Sequence, residues 1–316
     1  MKLGLKISIW VLSIVVIVIS GYVLYIYQSV KTTANDIYEP REPVQTIVVN
    51  QDPQGGDPKR RQEVSLKDKD SFTVLVLGVD QRENDRGRSD TMIVLTVNPI
   101  KQSILMFNIP RDTRTEIVGH GTVDKINHAY AFGGTSMSIQ TVEKFLDYPI
   151  DYYIKMNMEG FIQIIDLLGG VKVNNPYAFN MEGHSFQQGN LQLDGAEALL
   201  FSRMRYDDPK GDLGRNSRQR EIIQKMLKSG MQISSIIHIQ SMIKEVGDNV
   251  KTDINFDNMK KLVTDYRSDL KTIDMVEVRG QGQKMNGIYY YIVDAAERSR
   301  IHEVMIEHLN QSDVQK

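Results

Sequence analysis

The sequence predicts an α/β domain in which a mixed central β-sheet is covered by helices on both faces, a three-layer α-β-α arrangement behind one N-terminal transmembrane helix. Residues 72–80 form a near-continuous apolar run of strand length, which is typical of a strand buried on both faces. Two further strand-like segments, residues 91–98 and 103–109, follow in quick succession. Beyond residue 135 helical and strand patterns alternate, which indicates a buried sheet with helices packed against it.

The alternating part of the chain divides into six helices and four strands. Apolar residues at helical spacing predict helices over residues 136–146, 159–168, 194–203, 217–228, 256–265 and 294–309. Short apolar runs predict strands over residues 151–156, 171–173, 273–278 and 288–293, with a further short strand at 46–50. Asp194 and Glu197 stand at capping-box spacing and mark the start of the third helix.

The composition argues against several classes of function. With 316 residues and a net charge of -2, the chain lacks the broad basic surface that a nucleic-acid-binding protein usually needs. The absence of cysteine excludes a disulfide scaffold, thiol catalysis and zinc–thiolate sites. The sequence contains no HExxH motif, no Walker-A loop and no GxSxG motif.

Residues 7–27 carry no charged side chain and match the length that an α-helix needs to cross a bilayer. Trp10 near one end and three tyrosines near the other resemble an interfacial aromatic belt. A cleaved signal peptide is the alternative, but it usually has a shorter apolar core and a cleavage site with small residues. We therefore predict an uncleaved signal-anchor with residues 1–6 in the cytoplasm and the rest of the chain outside the membrane.

The remaining chain is expected to form a stalk, one globular domain and a short tail. Residues 28–70 are rich in proline, glycine and charge without sustained periodicity, which predicts an extracytoplasmic stalk. The globular domain is expected at residues 71–309, and residues 310–316 form the tail.

Two aspartates stand at the ends of neighbouring predicted strands. Asp80 ends the first apolar strand and Asp90 begins the next, so their carboxylates meet at one edge of the sheet if the strands pair. Two converging carboxylates are suited to hold Mg²⁺ on a phosphate. The alternative is that each aspartate simply caps a turn.

Arginines occur in three short clusters, and arginine is the side chain best suited to bidentate phosphate binding. Arg111 follows a strand and a proline, so it is presented from a stiff position, with a surface pair to Asp112 as the alternative. In the last cluster Arg215, Arg218 and Gln219 stand at i, i+3 and i+4 and share one helical face. A solvated basic face is the alternative there.

These motifs resemble the LytR–CpsA–Psr family. The segments that carry the resemblance, in order, are GVDQR, RSDTMI, IPRDTR, DKINHAYAFGG, LDGAEAL with FSRMR, and GDLGRNSRQR, within residues 71–230. The resemblance implies an extracytoplasmic ligase of a Gram-positive-like envelope. Such enzymes move a glycopolymer, for example a teichoic acid or capsule, from a polyprenyl diphosphate carrier to a peptidoglycan sugar hydroxyl through a phosphodiester.

The resemblance also implies roles for individual residues. Mg²⁺, with Mn²⁺ as an alternative, is expected at Asp80 and Asp90, which are catalytic candidates together with Arg111. The general base is left open between Asp80, Asp90 and Asp112. Diphosphate contacts are expected from Arg88, Arg111, Arg203, Arg205, Arg215 and Gln219, with Arg114 and Arg218 as helpers. Candidates for an apolar tunnel around the polyprenyl tail are Phe161, Ile164, Leu168, Leu199 and Leu200, which could equally be plain core.

Two alternatives to the enzyme remain open at this stage. A membrane-anchored protein that binds or senses a polyprenyl diphosphate without turnover would keep the arginines but tolerate loss of Asp80 or Asp90. A transcriptional regulator of envelope genes is the second, although the anchor and the lack of a basic recognition helix argue against it. The sequence does not specify the glycopolymer, the acceptor or the oligomeric state.

Overall fold

A computed structural model describes residues 2–41, 64–80, 86–205, 208–209, 211–232 and 245–310. Its helices are α1 (Lys2–Ile37), α2 (His128–Leu146), α3 (Met158–Leu167), α4 (Gly195–Arg203), α5 (Asp212–Gln232), α6 (Phe256–Lys261) and α7 (Ala295–Leu309), with a π-helical turn at Leu262–Tyr266. Its strands are β1 (Phe72–Asp80), β2 (Arg88–Asn98), β3 (Ser103–Asn108), β4 (Arg114–Ile117), β5 (Thr122–Lys125), β6 (Tyr152–Met156), β7 (Val171–Asn175), β8 (Phe179–Met181), β9 (His184–Phe186), β10 (Gly189–Leu193), β11 (Val250–Thr252), β12 (Thr272–Met275), β13 (Gln281–Met285) and β14 (Ile288–Ile292).

Six of these strands form one central sheet in the order β11-β6-β1-β2-β3-β12. Strand β1 lies near its middle, antiparallel to β2 and parallel to β6. Strand β3 is antiparallel to β2 and parallel to β12, and β11 is antiparallel to β6. The sheet is therefore mixed, and the predicted mixed α/β fold is confirmed.

Successive residues of the central strands point to two separate cores, as the two-residue period of a strand requires. In β1, Val74 and Val76 belong to one core, whereas Leu75 and Leu77 belong to the other. Both sets are at most 6% exposed, so the sheet is buried on both faces. This burial explains why the strand reads as a continuous apolar run and not as an alternating one.

Helices cover each face of the sheet and complete the two cores. On one face, α4 contributes Phe201 and α5 contributes Ile222 and Met226 to the first core. On the other face, Val142 of α2 and Met305 of α7 pack in the second core. The three-layer arrangement follows because each helix buries its apolar side against the sheet.

Helices and strands with strong apolar periodicity lie close to their predicted positions, and the capping box of Asp194 and Glu197 is present at the start of α4. Four short strand pairs beside the main sheet include strands that the apolar pattern does not predict, such as the hairpin β4–β5. Helix α2 begins earlier than predicted and bends at Gly133 and Gly134, where Gly134 has a φ of 63°. The predicted strand at residues 46–50 lies outside the described residues.

The N-terminal part of the chain differs from the predicted stalk. Helix α1 continues through residue 37, and its side chains Val30, Ala34 and Ile37 are buried against the rest of the protein. Among the described residues, no helix combines the length and the apolar character that a membrane crossing needs. The transmembrane helix at residues 7–27 therefore stays a prediction.

Residues directly after α1 are tied to the edge of the sheet. Tyr38 pairs in parallel with Thr252 of β11. Arg41 donates from Nε to Asp253 over 2.6 Å and from Nη1 to the carbonyl oxygen of Ile150 over 2.7 Å. The start of the predicted stalk is thus part of the folded domain, because its charged side chains have partners there.

A partly buried histidine makes stability depend on pH. His308 contacts the hydroxyls of Thr96 and Ser103 at 2.7 and 2.9 Å. Burial, assisted by nearby Lys101 and opposed by Asp274, lowers the His308 pKa from 6.5 to about 4. In the unfolded chain His308 is therefore protonated below about pH 6.5, whereas in the folded chain it is protonated only below about pH 4.

We predict that the free energy of unfolding falls as the pH drops from 6.5 to 4, by about 1–2 kcal/mol for this group after allowance for solvent screening. Urea unfolding between pH 8 and pH 4.5 measures this in the parent and in His308→Gln, which keeps polar contacts but does not titrate. The difference between the two proteins should shrink as the pH falls. A difference in the free energy of unfolding that does not change with pH would contradict the lowered pKa of His308.

Candidate functional site

A cavity of about 450 Å³ opens at the carboxyl ends of β1 and β6. This is the sheet edge at which α/β proteins generally bind ligands. Its walls come from β1, β2, β6, α3, α4, α5 and the tip of the hairpin β8–β9. Its charged and amide lining consists of Asp80, Asp90, Arg111, Asn157, Glu182, Arg203, Arg205, Arg215 and Gln219.

A β-bulge brings the two predicted aspartates to the same cavity. In the β1–β2 ladder Gly78 is opposite Thr91, whereas Val79 is opposite Ser89, so Asp90 is the extra residue without a partner in the ladder. Bulges of this kind bend a strand and redirect a side chain. Asp90 and Thr91 both line the cavity, as does Asp80 at the end of β1. The apolar pattern of β2 carries no sign of the bulge.

Asp90 holds Arg111 at the edge of the cavity. Arg111 donates from Nη1 to Asp90 Oδ2 over 2.7 Å, and Asn127 donates from Nδ2 to Asp90 Oδ1 over 3.0 Å. The surface pair with Asp112 that the sequence left open is the weaker contact, at 3.8 Å from Arg111 Nε, because Asp112 is bound by Lys125 at 2.7 Å. Asp90 therefore orients Arg111, and Asn127 in turn holds Asp90 through a second hydrogen bond.

Three further arginines reach the cavity from two helices. Arg203 is the last residue of α4, and Arg205 follows two residues later. Arg215 and Gln219 lie one turn apart on α5, and Arg215 is only 6% exposed. Together with Arg111, these arginines outnumber the three carboxylates of the lining by one. The cavity is therefore electropositive on this side and suited to an anion with several oxygen atoms.

Arg218 does not line the cavity, and its predicted role as a helper in diphosphate binding is corrected. Its Nη1 pairs with Asp208 at 2.5 Å and its Nε donates to the carbonyl oxygen of Phe201 over 3.0 Å. Its Nη2 donates to the carbonyl oxygen of Met204. The side chains of Arg218 and Asp208 are both almost fully buried. The three side chains share one side of α5, with Arg218 about 60° from Arg215 and on the opposite side of it from Gln219. Arg218 is buried against α4 at the border of this face, whereas Arg215 and Gln219 line the cavity.

Two other predicted arginines lie outside the cavity lining. Arg88 is exposed at the start of β2, opposite Asp80 in the ladder. Arg114 is exposed on β4, and its guanidinium lies 5.9 Å from the ring centre of Tyr290. Their roles in binding stay predictions, because neither is brought into the walls formed by the other arginines.

The opposite side of the cavity is apolar. Of the predicted lipid-binding residues, Phe161 and Leu199 line it. Ile164, Leu168 and Leu200 pack instead against the first core. Further apolar lining residues, which the sequence analysis did not single out, are Val76, Met156, Met158, Met181 and Ile223. Their spacing is that of ordinary core residues, so no sequence pattern distinguishes them.

The carboxylates are compatible with a hard divalent cation. Asp80 and Asp90 share one cavity and offer only oxygen ligands. Among the described residues there is no group of three or more histidine, aspartate or glutamate side chains placed to hold a metal ion. Mg²⁺ commonly binds through one or two carboxylates and completes its shell with water and phosphate oxygens, so the donor set fits that ion.

The fold and the cavity together define a class of protein whose site is suited to an amphiphilic ligand, with an anionic, oxygen-rich part beside an apolar part. The LytR_cpsA_psr family matches over residues 24–307. The chain belongs to this LytR–CpsA–Psr family, and the resemblance seen in the sequence is confirmed.

Individual relatives agree with this membership. The chain is 45% identical to the polyisoprenyl-teichoic acid–peptidoglycan teichoic acid transferase TagU of Halalkalibacterium halodurans, over 96% of this chain and 97% of that protein. The crystal structure of Bacillus subtilis TagU matches with a TM-score of 0.62 and 47% identity, over 77% and 98% of the two chains. A structure of TagT bound to LIIa-WTA matches with a TM-score of 0.68 and 29% identity, over 79% and 94%.

We predict that Arg218→Met destabilises the protein by about 3–5 kcal/mol, because it leaves the carboxylate of Asp208 buried without its guanidinium partner. Urea unfolding measures the loss. Arg203→Met is the matched control and should cost less than about 1 kcal/mol, since Arg203 is only partly buried at the cavity wall. Replacing Asp208 by leucine as well should recover part of the loss. Equal effects at the two arginines would contradict the structural role of Arg218.

Proposed function

We propose that the protein is an extracytoplasmic phosphotransferase that attaches a glycopolymer of the teichoic acid type to peptidoglycan. The donor is the glycopolymer on a polyprenyl diphosphate, and the acceptor is a sugar hydroxyl of peptidoglycan. The observation that carries the proposal is the cavity, whose arginine wall stands beside an apolar wall. A lipid-linked diphosphate has the same two parts. The names of the TagU relatives support this donor and this acceptor.

The arginines are proposed to bind the diphosphate and to stabilise the charge that gathers on its oxygens during transfer. Arg111 is held by Asp90, so its Nη1 is fixed before the substrate arrives. Arg215 is almost buried, which strengthens its interaction with an anion because little water competes there. Asp80 and Asp90 would hold Mg²⁺. When bound, this ion would neutralise part of the diphosphate charge.

The acceptor hydroxyl is proposed to attack the phosphorus next to the glycopolymer, with polyprenyl phosphate as the leaving group. The chain has no cysteine and no nucleophilic serine motif, which favours direct transfer over a covalent enzyme intermediate. Trapping a phosphorylated enzyme during turnover would rule out this route.

The N-terminal segment is proposed to anchor the protein in the membrane with the domain outside. Residues 7–27 carry no charge, and α1 runs through them without a break. Its last turns pack against the domain, with Tyr27 and Phe256 rings 5.6 Å apart. An anchor of this kind would keep the cavity close to a lipid-linked substrate.

A sensor without turnover and a regulator of transcription are the competing functions. The sensor has the same cavity in its favour, so a transfer assay has to separate it from the enzyme. The regulator would need a nucleic-acid-binding surface inside the cell, which the slightly negative net charge does not favour.

We predict that the full chain in detergent transfers a radiolabelled glycan from polyprenyl diphosphate to peptidoglycan oligomers. Arg111→Ala and Asp90→Ala should each lower the rate roughly a hundredfold, as removal of one transition-state contact does. Arg300→Ala is the control, because Arg300 pairs with Glu297 on α7, away from the cavity. A chelator should lower the rate of the parent, and added Mg²⁺ should restore it. Tight donor binding without product would favour the sensor.

We predict that a reporter enzyme that is active only outside the cytoplasm is active when fused after residue 316. The same fusion to a chain whose residues 7–27 are deleted should be inactive, because no uncharged segment remains to direct export. An inactive reporter on the full chain, with the fusion present at normal level, would contradict the extracytoplasmic location and reopen the regulator.

A further inference from the structure

A hairpin beside the arginines places a third carboxylate at the cavity. Strands β8 and β9 are joined by the two residues Glu182 and Gly183, and Met181 and Glu182 line the cavity. The base of the hairpin is fixed by aromatic packing. The rings of Phe179 and Phe186 stack with their centres 4.8 Å apart, and each ring centre lies 5.8 Å from that of Phe201 of α4. The hairpin therefore packs on α4, the helix that also ends in Arg203.

The residue at the first position of this turn is unusual. Glu182 and Gly183 have φ values of 48° and 85°, as the two central residues of a type I′ hairpin turn require. Asparagine, aspartate and glycine are the residues favoured at such positions, and glutamate is strained there. The hairpin β13–β14 has the same turn with Asn286 and Gly287, at 51° and 79°. The chain thus uses the favoured residue away from the cavity and glutamate beside it.

The three carboxylates of the cavity differ in their surroundings. Both oxygens of Asp90 accept hydrogen bonds, from Arg111 and Asn127. Asp80 lies opposite Arg88 at the end of the β1–β2 ladder. Glu182 is exposed at the tip of the hairpin and has no hydrogen bond or ion pair to any described residue. Its carboxylate is available for a group that enters the cavity from outside.

A carboxylate beside an arginine-bound diphosphate would repel that donor, so the chemistry of Glu182 suits the other substrate. A neutral sugar hydroxyl is a hydrogen-bond donor that a carboxylate accepts well. On the basis of the proposed transfer function, we infer that Glu182 binds the attacking hydroxyl of the acceptor saccharide and takes up its proton. The tip of the β8–β9 hairpin is then the acceptor side of the cavity.

The step balances without a further reactant. The acceptor oxygen forms a bond to the phosphorus next to the glycopolymer, and its proton passes to the carboxylate of Glu182. The bond from this phosphorus to the bridging oxygen breaks, and the electron pair leaves with polyprenyl phosphate. Glu182 returns the proton to solvent or to the departing phosphate before the next turnover.

The test uses the full chain in detergent, with Glu182→Gln, Glu182→Asn and the control Glu303→Gln at an exposed glutamate of α7. Transfer is measured against the concentration of peptidoglycan oligomers and, separately, of polyprenyl-diphosphate-linked glycan. Both Glu182 variants should lose at least tenfold in kcat/KM for the acceptor, with unchanged donor affinity. The acidic limb of the pH–rate profile should disappear from the residual activity of Glu182→Gln.

Asparagine separates the proposed role from a purely structural one, because it suits the turn better than glutamate and should preserve or raise stability to urea. Transfer by Glu182→Asn at the parental rate would overturn the inference and leave the phosphotransferase in place. A loss of donor affinity in either variant would overturn it as well. Donor binding by the parent without any transfer would refute the phosphotransferase itself, and the inference with it.

Discussion

Asp90 and Arg111 form an ion pair at the edge of the central sheet, and the polar side of the cavity is arranged around it. The pair exists because β2 contains one extra residue opposite the Gly78–Val79 step of β1. Without that bulge Asp90 would follow the regular alternation and face the other side of the sheet. The bulge thus determines which arginine is oriented and where the two aspartates meet.

The arginines of α4 and α5 fall into two groups: Arg218 is buried in the core, whereas Arg203 and Arg215 line the cavity. The guanidinium of Arg218 is buried, where it pairs with Asp208 and donates hydrogen bonds to backbone carbonyl oxygens. A side chain on Gly214 would collide with Asp208, so the close approach of that carboxylate depends on a glycine. Arg215, one turn after the start of α5, lines the cavity wall.

The cavity has an amphiphilic lining because two kinds of element meet at it. The carboxyl ends of β1 and β6 and the helix α3 provide Val76, Met156 and Phe161. The ends of α4 and α5 provide Arg203 and Arg215, and the segment after β3 provides Arg111. In the proposed function, a lipid diphosphate would lie across this boundary, with its charged part at the arginines and its apolar part at the other wall. The hairpin β8–β9 adds the carboxylate of Glu182 to the lining.

The sequence by itself determined the mixed α/β fold, because apolar periodicity records which faces are buried, and the ordered motifs identified the family. It also placed Asp80, Asp90, Arg111 and Arg203 among the site candidates, since each stands at the end of a strongly patterned element. Tertiary structure alone decided that Arg218 is buried, that Asp90 is turned by a bulge and that Glu182 reaches the cavity. The bulge depends on strand register, the burial of Arg218 depends on the packing of α5 against α4, and the position of Glu182 depends on a polar hairpin. Local sequence patterns carry little information about any of these three.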